Sequence, residues 1–97
     1  MRTVSKKDSN HAEIVKTLRA IGAHVQDVSQ LKNCFDILVG YRGRLFIMEV
    51  KDGKKPPSAR QLTPGEMKCK QDFERVGVTY HIVLSVEQAI EIVTEKA

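Results

Sequence analysis

The chain of 97 residues contains no tryptophan, only 5% aromatic residues and two cysteines. Two cysteines do not build a disulfide framework, and so few aromatic rings make a platform for stacking single-stranded bases a poor expectation. No apolar run approaches the ~20 residues of a membrane helix, and the N-terminus lacks the apolar segment of a signal peptide. Glycine-rich phosphate loops, zinc-type Cys and His clusters and internal repeats are also missing. These absences favour a reduced, cytoplasmic protein.

Length and composition indicate one small domain, for which we expect a flexible N-terminal arm at residues 1–8 and a folded unit at 9–97. The hydrophobic fraction of 41% and the charged fraction of 29% are ordinary for a globular protein. The formal net charge is +4, and basic residues are concentrated between positions 51 and 70. Such clustering suits contact with a phosphate backbone, although a solvated basic loop explains it equally well.

A β-hairpin is predicted from two apolar runs, residues 35–41 and 45–50, which flank Arg42-Gly43. Because side chains alternate along a strand, each run divides between two faces. One face is predicted to carry Asp36, Leu38, Leu45, Ile47, Glu49 and Lys51, and the other Phe35, Ile37, Val39, Tyr41, Phe46, Met48 and Val50.

The register of this hairpin brings two acids together. If Tyr41 pairs with Arg44, then Asp36 falls opposite Glu49, and like charges at paired positions destabilise a sheet. The two carboxylates therefore need a cation between them, or one of them must hold a proton. A divalent metal with oxygen ligands would meet that need, with Lys51 close by. The alternatives are that both acids lie in water at strand ends, or that a bulge shifts the register.

The remaining segments alternate between helical and extended patterns. Asn10 and Glu13 match a capping box, and Thr63 with Glu66 match a second one. The first helix is predicted to run to about Gly22. It is followed by a strand at 23–30, the hairpin, a loop at 52–61, a helix at 63–77, a strand at 78–84 and a last helix from 85. This order predicts an α/β fold, αβββαβα, with a mixed central sheet flanked by helices.

Several of these motifs together resemble the PD-(D/E)XK nuclease superfamily, and more closely a stand-alone member of the VRR-NUC (virus-type replication-repair nuclease) family. The residues that carry the likeness are Asn10-His11-Ala12-Glu13, Asp36-Ile37-Leu38-Val39-Gly40, Glu49-Val50-Lys51-Asp52-Gly53 and Leu62-Thr63-Pro64-Gly65-Glu66. They follow the family's order over nearly the whole chain. The family usually has proline before the aspartate, where this chain has Phe35.

The resemblance implies a restriction-endonuclease-like core and a metal-dependent endonuclease acting on DNA. Asp36, Glu49, the Val50 carbonyl and Glu13 would bind Mg²⁺ or Mn²⁺, and Lys51 would complete the catalytic set. Glu13 enters because related nucleases place a glutamate of the first helix beside the metal, and a carboxylate at the rim of that helix can reach the sheet edge. The alternative is that Glu13 only completes the cap.

The same resemblance implies a substrate and a cellular setting. Branched DNA, especially a Holliday junction, would be cut by a homodimer. The expected location is the cytoplasm of a bacterial host cell, with a phage-encoded protein as one option. The residues expected to contact DNA are Lys54, Lys55, Arg60, Gln61 and Lys68. A non-catalytic DNA-binding module, an assembly protein with solvated acids, and a nuclease for flaps, nicked duplex or RNA remain as alternatives.

Overall fold

A computed structural model describes residues 8–95 of the chain. The predicted arm lies outside the described residues except for Asp8, whose carbonyl accepts a hydrogen bond from the His11 N–H. In chain order the elements are α1 (His11–Ala20), β1 (His24–Asp27), β2 (Ile37–Tyr41), β3 (Arg44–Val50), a 3₁₀ turn (Pro57–Arg60), α2 (Pro64–Arg75), β4 (Tyr80–Val83) and α3 (Val86–Thr94).

The four strands form one mixed sheet in the order β1-β2-β3-β4. β1, β2 and β3 are antiparallel neighbours, whereas β4 runs parallel to β3. Within the described residues no helix is long and apolar enough to cross a membrane. The 3₁₀ turn is the one element that we had assigned to loop, because two prolines and many charges cannot form a core element.

The hairpin has the predicted register. Tyr41 pairs with Arg44 and Ile37 with Met48, and the two residues at the turn, Arg42 and Gly43, have φ angles of 50° and 79°. Positive φ at both central residues matches the twist of the flanking strands, and this geometry fixes the pairing without a bulge.

Helices cover both faces of the sheet, as predicted. One face packs against α1 and α3 in the main core, and the other packs beneath α2 in a smaller cluster. The main core consists of Ile14, Val15, Leu18, Ala23, Val25, Ile37, Val39, Phe46, Met48, Val50, Val83, Ala89 and Val93. Because the hairpin strands are apolar on both sides, each side requires its own helical cover.

The placement of Phe35 on the face of Ile37 was wrong. Phe35 packs instead with Ile47 and Tyr80 beneath α2. β2 begins only at Ile37, so the two-residue alternation does not extend back to position 35. The chain also turns just before this point, where Asn33 has a φ of 56°.

The two predicted capping boxes have different outcomes. At α2, the Thr63 side chain accepts from the Glu66 N–H at 3.2 Å and the Glu66 carboxylate accepts from the Thr63 N–H at 3.0 Å. At α1, Asn10 makes no capping hydrogen bond. Its Nδ2 donates instead to the carbonyls of Lys51 at 3.2 Å and Leu84 at 3.1 Å. Asn10 therefore ties α1 to the ends of β3 and β4.

We predict that Asn10→Ala lowers the free energy of unfolding by about 1–3 kcal/mol, because two partly buried carbonyls lose their donor. Urea unfolding followed by circular dichroism would measure the change. Gln71→Ala, an exposed substitution on α2, is the control and should stay within about 0.5 kcal/mol of wild type. Equal stability of the two variants would show that Asn10 does not hold these elements together.

A candidate metal-binding active site at the end of the hairpin

The candidate active site is a cavity of about 300 Å³ at the open end of the β2–β3 hairpin. Asp36 precedes the first residue of β2, and Glu49 and Val50 are the last two residues of β3. Lys51 follows directly. The cavity is lined by Asp8, Ser29, Leu31, Lys32, Asn33, Asp36, Glu49, Val50, Lys51, Thr63 and Glu66. The structure thus brings three predicted catalytic residues, Asp36, Glu49 and Lys51, into one cavity.

Asp36 is held by the backbone of the neighbouring strand. Its Oδ2 accepts a hydrogen bond from the Val50 N–H at 2.8 Å, and its own N–H donates to the Met48 carbonyl at 3.0 Å. Burial raises the pKa of the Asp36 carboxyl, and the Val50 hydrogen bond opposes that shift only in part. The carboxylate is therefore positioned firmly but carries its charge at a cost.

Glu49 is the more strongly perturbed acid. The residue is 4% exposed, and burial, followed by repulsion from Asp36, raises its pKa to about 8. The Tyr80 hydroxyl lies 3.5 Å from Glu49 Oε1. Two acids that face each other in a buried position repel strongly, and the raised pKa of Glu49 favours its protonated form near neutral pH.

Lys51 lies between two carboxylates. Its Nζ is 3.4 Å from Glu49 Oε2 and 3.2 Å from Glu66 Oε1. Burial disfavours the ammonium, but the charges of Glu49 and Glu66 outweigh burial and raise the pKa of Lys51. The side chain therefore stays protonated and can stabilise negative charge.

Glu66 is a site residue that the sequence analysis missed. We had assigned it to the cap of α2, which it completes, but the same carboxylate also contacts Lys51. Burial works against its charge, yet the Thr63 N–H and the Lys51 ammonium outweigh burial and lower its pKa. The capping motif located this acid at a helix start, but nothing local showed that the helix starts beside Lys51.

Glu13 is not brought to this cavity. It is exposed and lines a separate cavity of about 390 Å³, together with Asp52 and Glu87. The helix α1 presents its buried face, with Ile14 and Leu18, to the sheet, and Glu13 lies off that face.

His11, two positions before Glu13, is the α1 residue that approaches the site. It is 4% exposed, and its Nε2 lies 3.1 Å from Asp27 Oδ2. Its charge is among the influences that lower the pKa of Asp36. Local sequence patterns could not show that His11 contacts Asp27 and acts electrostatically on Asp36.

None of the five predicted DNA contacts lines this cavity: Lys54 lines the cavity of Glu13, and Lys68 lines a further cavity against α2. Lys54 and Lys55 are exposed, and Lys55 Nζ is 3.4 Å from Asp8 Oδ1. Gln61 is exposed, and the buried Nε of Arg60 has no hydrogen-bond partner among the described residues.

Lys68 is also exposed, but its ammonium forms an ion pair with Asp72 at 3.1 Å. This contact is between residues four positions apart on α2. The charge of Lys68 is therefore already balanced by a carboxylate of its own helix.

The donor set at the hairpin end suits a hard divalent cation. No group of three or more His, Cys, Asp or Glu side chains within residues 8–95 is arranged to hold a metal. Mg²⁺, however, is commonly bound by one or two carboxylates with water and substrate phosphate. The Val50 N–H points at Asp36, and the carbonyl of a strand residue points to the same side as its N–H. Asp36, Glu49 and the Val50 carbonyl are therefore the candidate oxygen donors at this end of the hairpin.

A solved structure described as "VRR_NUC domain" shares this fold, with a TM-score of 0.63 and 21% sequence identity. The match covers 90% of this chain and 92% of that chain. No family model matches the sequence, and no curated protein matches it. The likeness confirms the predicted fold class, a restriction-endonuclease-like αβββαβα core with a mixed sheet flanked by helices.

We predict that stability falls as the pH rises from about 5 to about 8, because folded Glu49 keeps its proton up to about pH 8 whereas the unfolded chain loses it near 4.5. Each pH unit between the two pKa values lowers the free energy of unfolding by about 1.4 kcal/mol. Glu49→Gln should flatten this slope. Urea unfolding at three pH values, with chelator present, measures how the free energy of unfolding depends on pH.

Glu91→Gln, which changes an exposed glutamate of α3, is the matched control and should keep the wild-type slope. If Glu49→Gln and wild type lose stability in parallel over this pH range, Glu49 is not the buried proton-binding group.

Proposed function

We propose that this protein is a metal-dependent endodeoxyribonuclease that hydrolyses phosphodiester bonds in structured DNA. The observation that carries the proposal is the meeting of Asp36 and Glu49 at the hairpin end, with the charged Lys51 beside them in an open cavity. The likeness in fold to a VRR_NUC domain supports the same conclusion. Two repelling acids in one cavity are more typical of a functional site than of a purely structural one.

The proposed ligands are Asp36, Glu49 and the Val50 carbonyl, for Mg²⁺ or Mn²⁺. Such an ion supplies a Lewis acid that lowers the pKa of bound water and neutralises charge on a scissile phosphate. Asp36 is oriented by the Val50 N–H, so the first ligand is in place before any ion binds. Glu13 is left out of this set because it lines another cavity.

Lys51 is the proposed electrostatic catalyst. Its raised pKa keeps the ammonium charged, so it stabilises the negative charge that develops on the phosphate and does not act as a base. Glu66 restrains Lys51 through the contact at 3.2 Å. When phosphate enters, Lys51 can exchange part of this contact for the substrate.

DNA would approach across the basic side of the cavity. Lys54, Lys55 and Gln61 are exposed on the segment that follows Lys51, and the buried Nε of Arg60 has no hydrogen-bond partner among the described residues. These groups are suited to backbone phosphates. Because phosphates are the same in every DNA sequence, we assign recognition to the shape of the DNA. Lys68 would be a weaker contact, since Asp72 already balances its charge.

The proposed substrate is branched DNA, with a four-way junction as the principal form and a homodimer as the acting species. The described residues form one cavity that contains these two acids, whereas resolving a junction requires two symmetric cuts. A two-fold dimer would present two such cavities to the two cut strands. Flaps, nicked duplex and RNA are the alternative substrates.

We predict that purified protein cleaves a labelled four-way junction with Mg²⁺ or Mn²⁺ and not with chelator. Asp36→Asn, Glu49→Gln and Lys51→Met should each reduce the rate at least about 100-fold, because each removes a ligand or a charge used in the reaction. Linear duplex and flap of the same sequence, run beside the junction, show which substrate is preferred. Glu13→Gln is the matched control and should cleave at close to the wild-type rate.

The variants should still bind the junction in a gel-shift assay, because the basic surface is unchanged. Undiminished cleavage by Glu49→Gln and Lys51→Met would rule out the proposed chemistry. Junction binding without cleavage in every metal would instead favour a non-catalytic binding module, and loss of activity in Glu13→Gln would return that residue to the ligand set.

We also predict that binding of Mn²⁺ near pH 7 releases about one proton for each ion, because Glu49 must ionise to bind it. Calorimetry in buffers of different ionisation enthalpy measures the number. Affinity should rise with pH up to about 8, and Glu49→Gln should abolish the proton release. Binding without proton release would place the ion elsewhere on the protein.

A further inference from the structure

Two free cysteines face the same small cluster beneath α2. Cys34 precedes β2 and Cys69 lies in the middle of α2, and both are half-buried. Each packs against the cluster of Phe35, Ile47 and Tyr80. They are 35 residues apart in the sequence, so their meeting is a product of the tertiary fold.

Neighbouring contacts hold the segment that carries Cys34 against the face of α2 that carries Cys69. The Asn33 side chain lies directly against Gly65, so closely that a Cβ at that glycine would collide with it. Gly65 and Cys69 are four residues apart in α2 and therefore share one face of the helix. The residue after Asn33 is Cys34, and after burial the influence of the Cys34 thiol is the next largest that raises the pKa of the Cys69 thiol.

Both backbones at this contact are anchored. The Tyr80 hydroxyl donates to the Cys34 carbonyl at 2.8 Å. The ring of Phe35 packs edge-on against Phe73 of α2, with centroids 5.9 Å apart. The segment before β2 is therefore held against α2 on either side of the two thiols, and they stay close in the folded state.

We propose that Cys34 and Cys69 are an oxidisable pair that closes an intramolecular disulfide when the protein meets a low-molecular-weight disulfide such as oxidised glutathione. One thiolate attacks the glutathione disulfide, forms a mixed disulfide and releases one glutathione. The second thiolate attacks the protein sulfur of that mixed disulfide and releases the other. The net change is two protein thiols oxidised to one disulfide and one glutathione disulfide reduced to two thiols.

The bridge would join two walls of the candidate active site. Cys34 lies two residues before Asp36, and Cys69 lies three residues after Glu66, and both acids line the same cavity. Oxidation therefore fixes α2 relative to the segment that carries Asp36. Formation of the disulfide depends only on the folded contact, so it stands independently of the proposed nuclease activity.

The test uses the full chain, incubated with oxidised glutathione and then alkylated under denaturing conditions for intact-mass measurement. We expect a monomer without alkylation whose mass is lower by the two thiol hydrogens, with both thiols recovered after dithiothreitol. The melting temperature of the oxidised monomer should rise by about 5 °C or more, since the cross-link restrains the unfolded chain. Cys34→Ser and Cys69→Ser should each stop at a mixed disulfide with glutathione.

Accumulation of wild-type protein carrying two glutathione adducts, or of disulfide-linked dimers alone, would overturn the proposal. The same is true of an oxidised monomer that melts at the temperature of the reduced one. The wild-type masses decide the result even if a serine variant does not fold.

Discussion

The opposition of Asp36 and Glu49 across one hairpin is the constraint on which the rest of the structure depends. The turn at Arg42-Gly43 sets the register, and the register leaves two acids facing each other in a nearly buried place. The surroundings moderate that repulsion without removing it. A backbone N–H holds Asp36 and an ammonium lies beside Glu49. The raised pKa of Glu49 favours its protonated form, which reduces the repulsion further. This residual strain is what an added cation would relieve.

The other elements can be understood as supports for this arrangement. α2 covers one side of the hairpin and begins with the residue that restrains Lys51. α1 is tied to the ends of β3 and β4 by Asn10 and brings His11 towards Asp36. Three segments distant in sequence thus fix a few polar groups, and the apolar core beneath them supplies the rigidity that such positioning requires.

The parts of the fold that were predictable from sequence are those that short-range rules govern. Pairing of the hairpin follows from its two-residue turn, and the start of α2 follows from Thr63 and Glu66, so both could be read locally. The second contact of Glu66 and the approach of His11 to Asp36 depend on how helices dock on the sheet. Local patterns contain no information about that docking. For the same reason they could not predict that Asn10 bonds to the ends of two strands and does not cap its own helix.

Val50 has a consequence for how this protein can change over evolutionary time. Its side chain is 1% exposed in the main core, while Glu49 and Lys51 on either side of it face the cavity. Core and cavity-lining groups therefore alternate within one tripeptide, and losing or gaining a single amino acid in β3 would exchange their positions. We therefore expect β3 to change during evolution by amino-acid substitution, with insertions and deletions confined to the connecting segments.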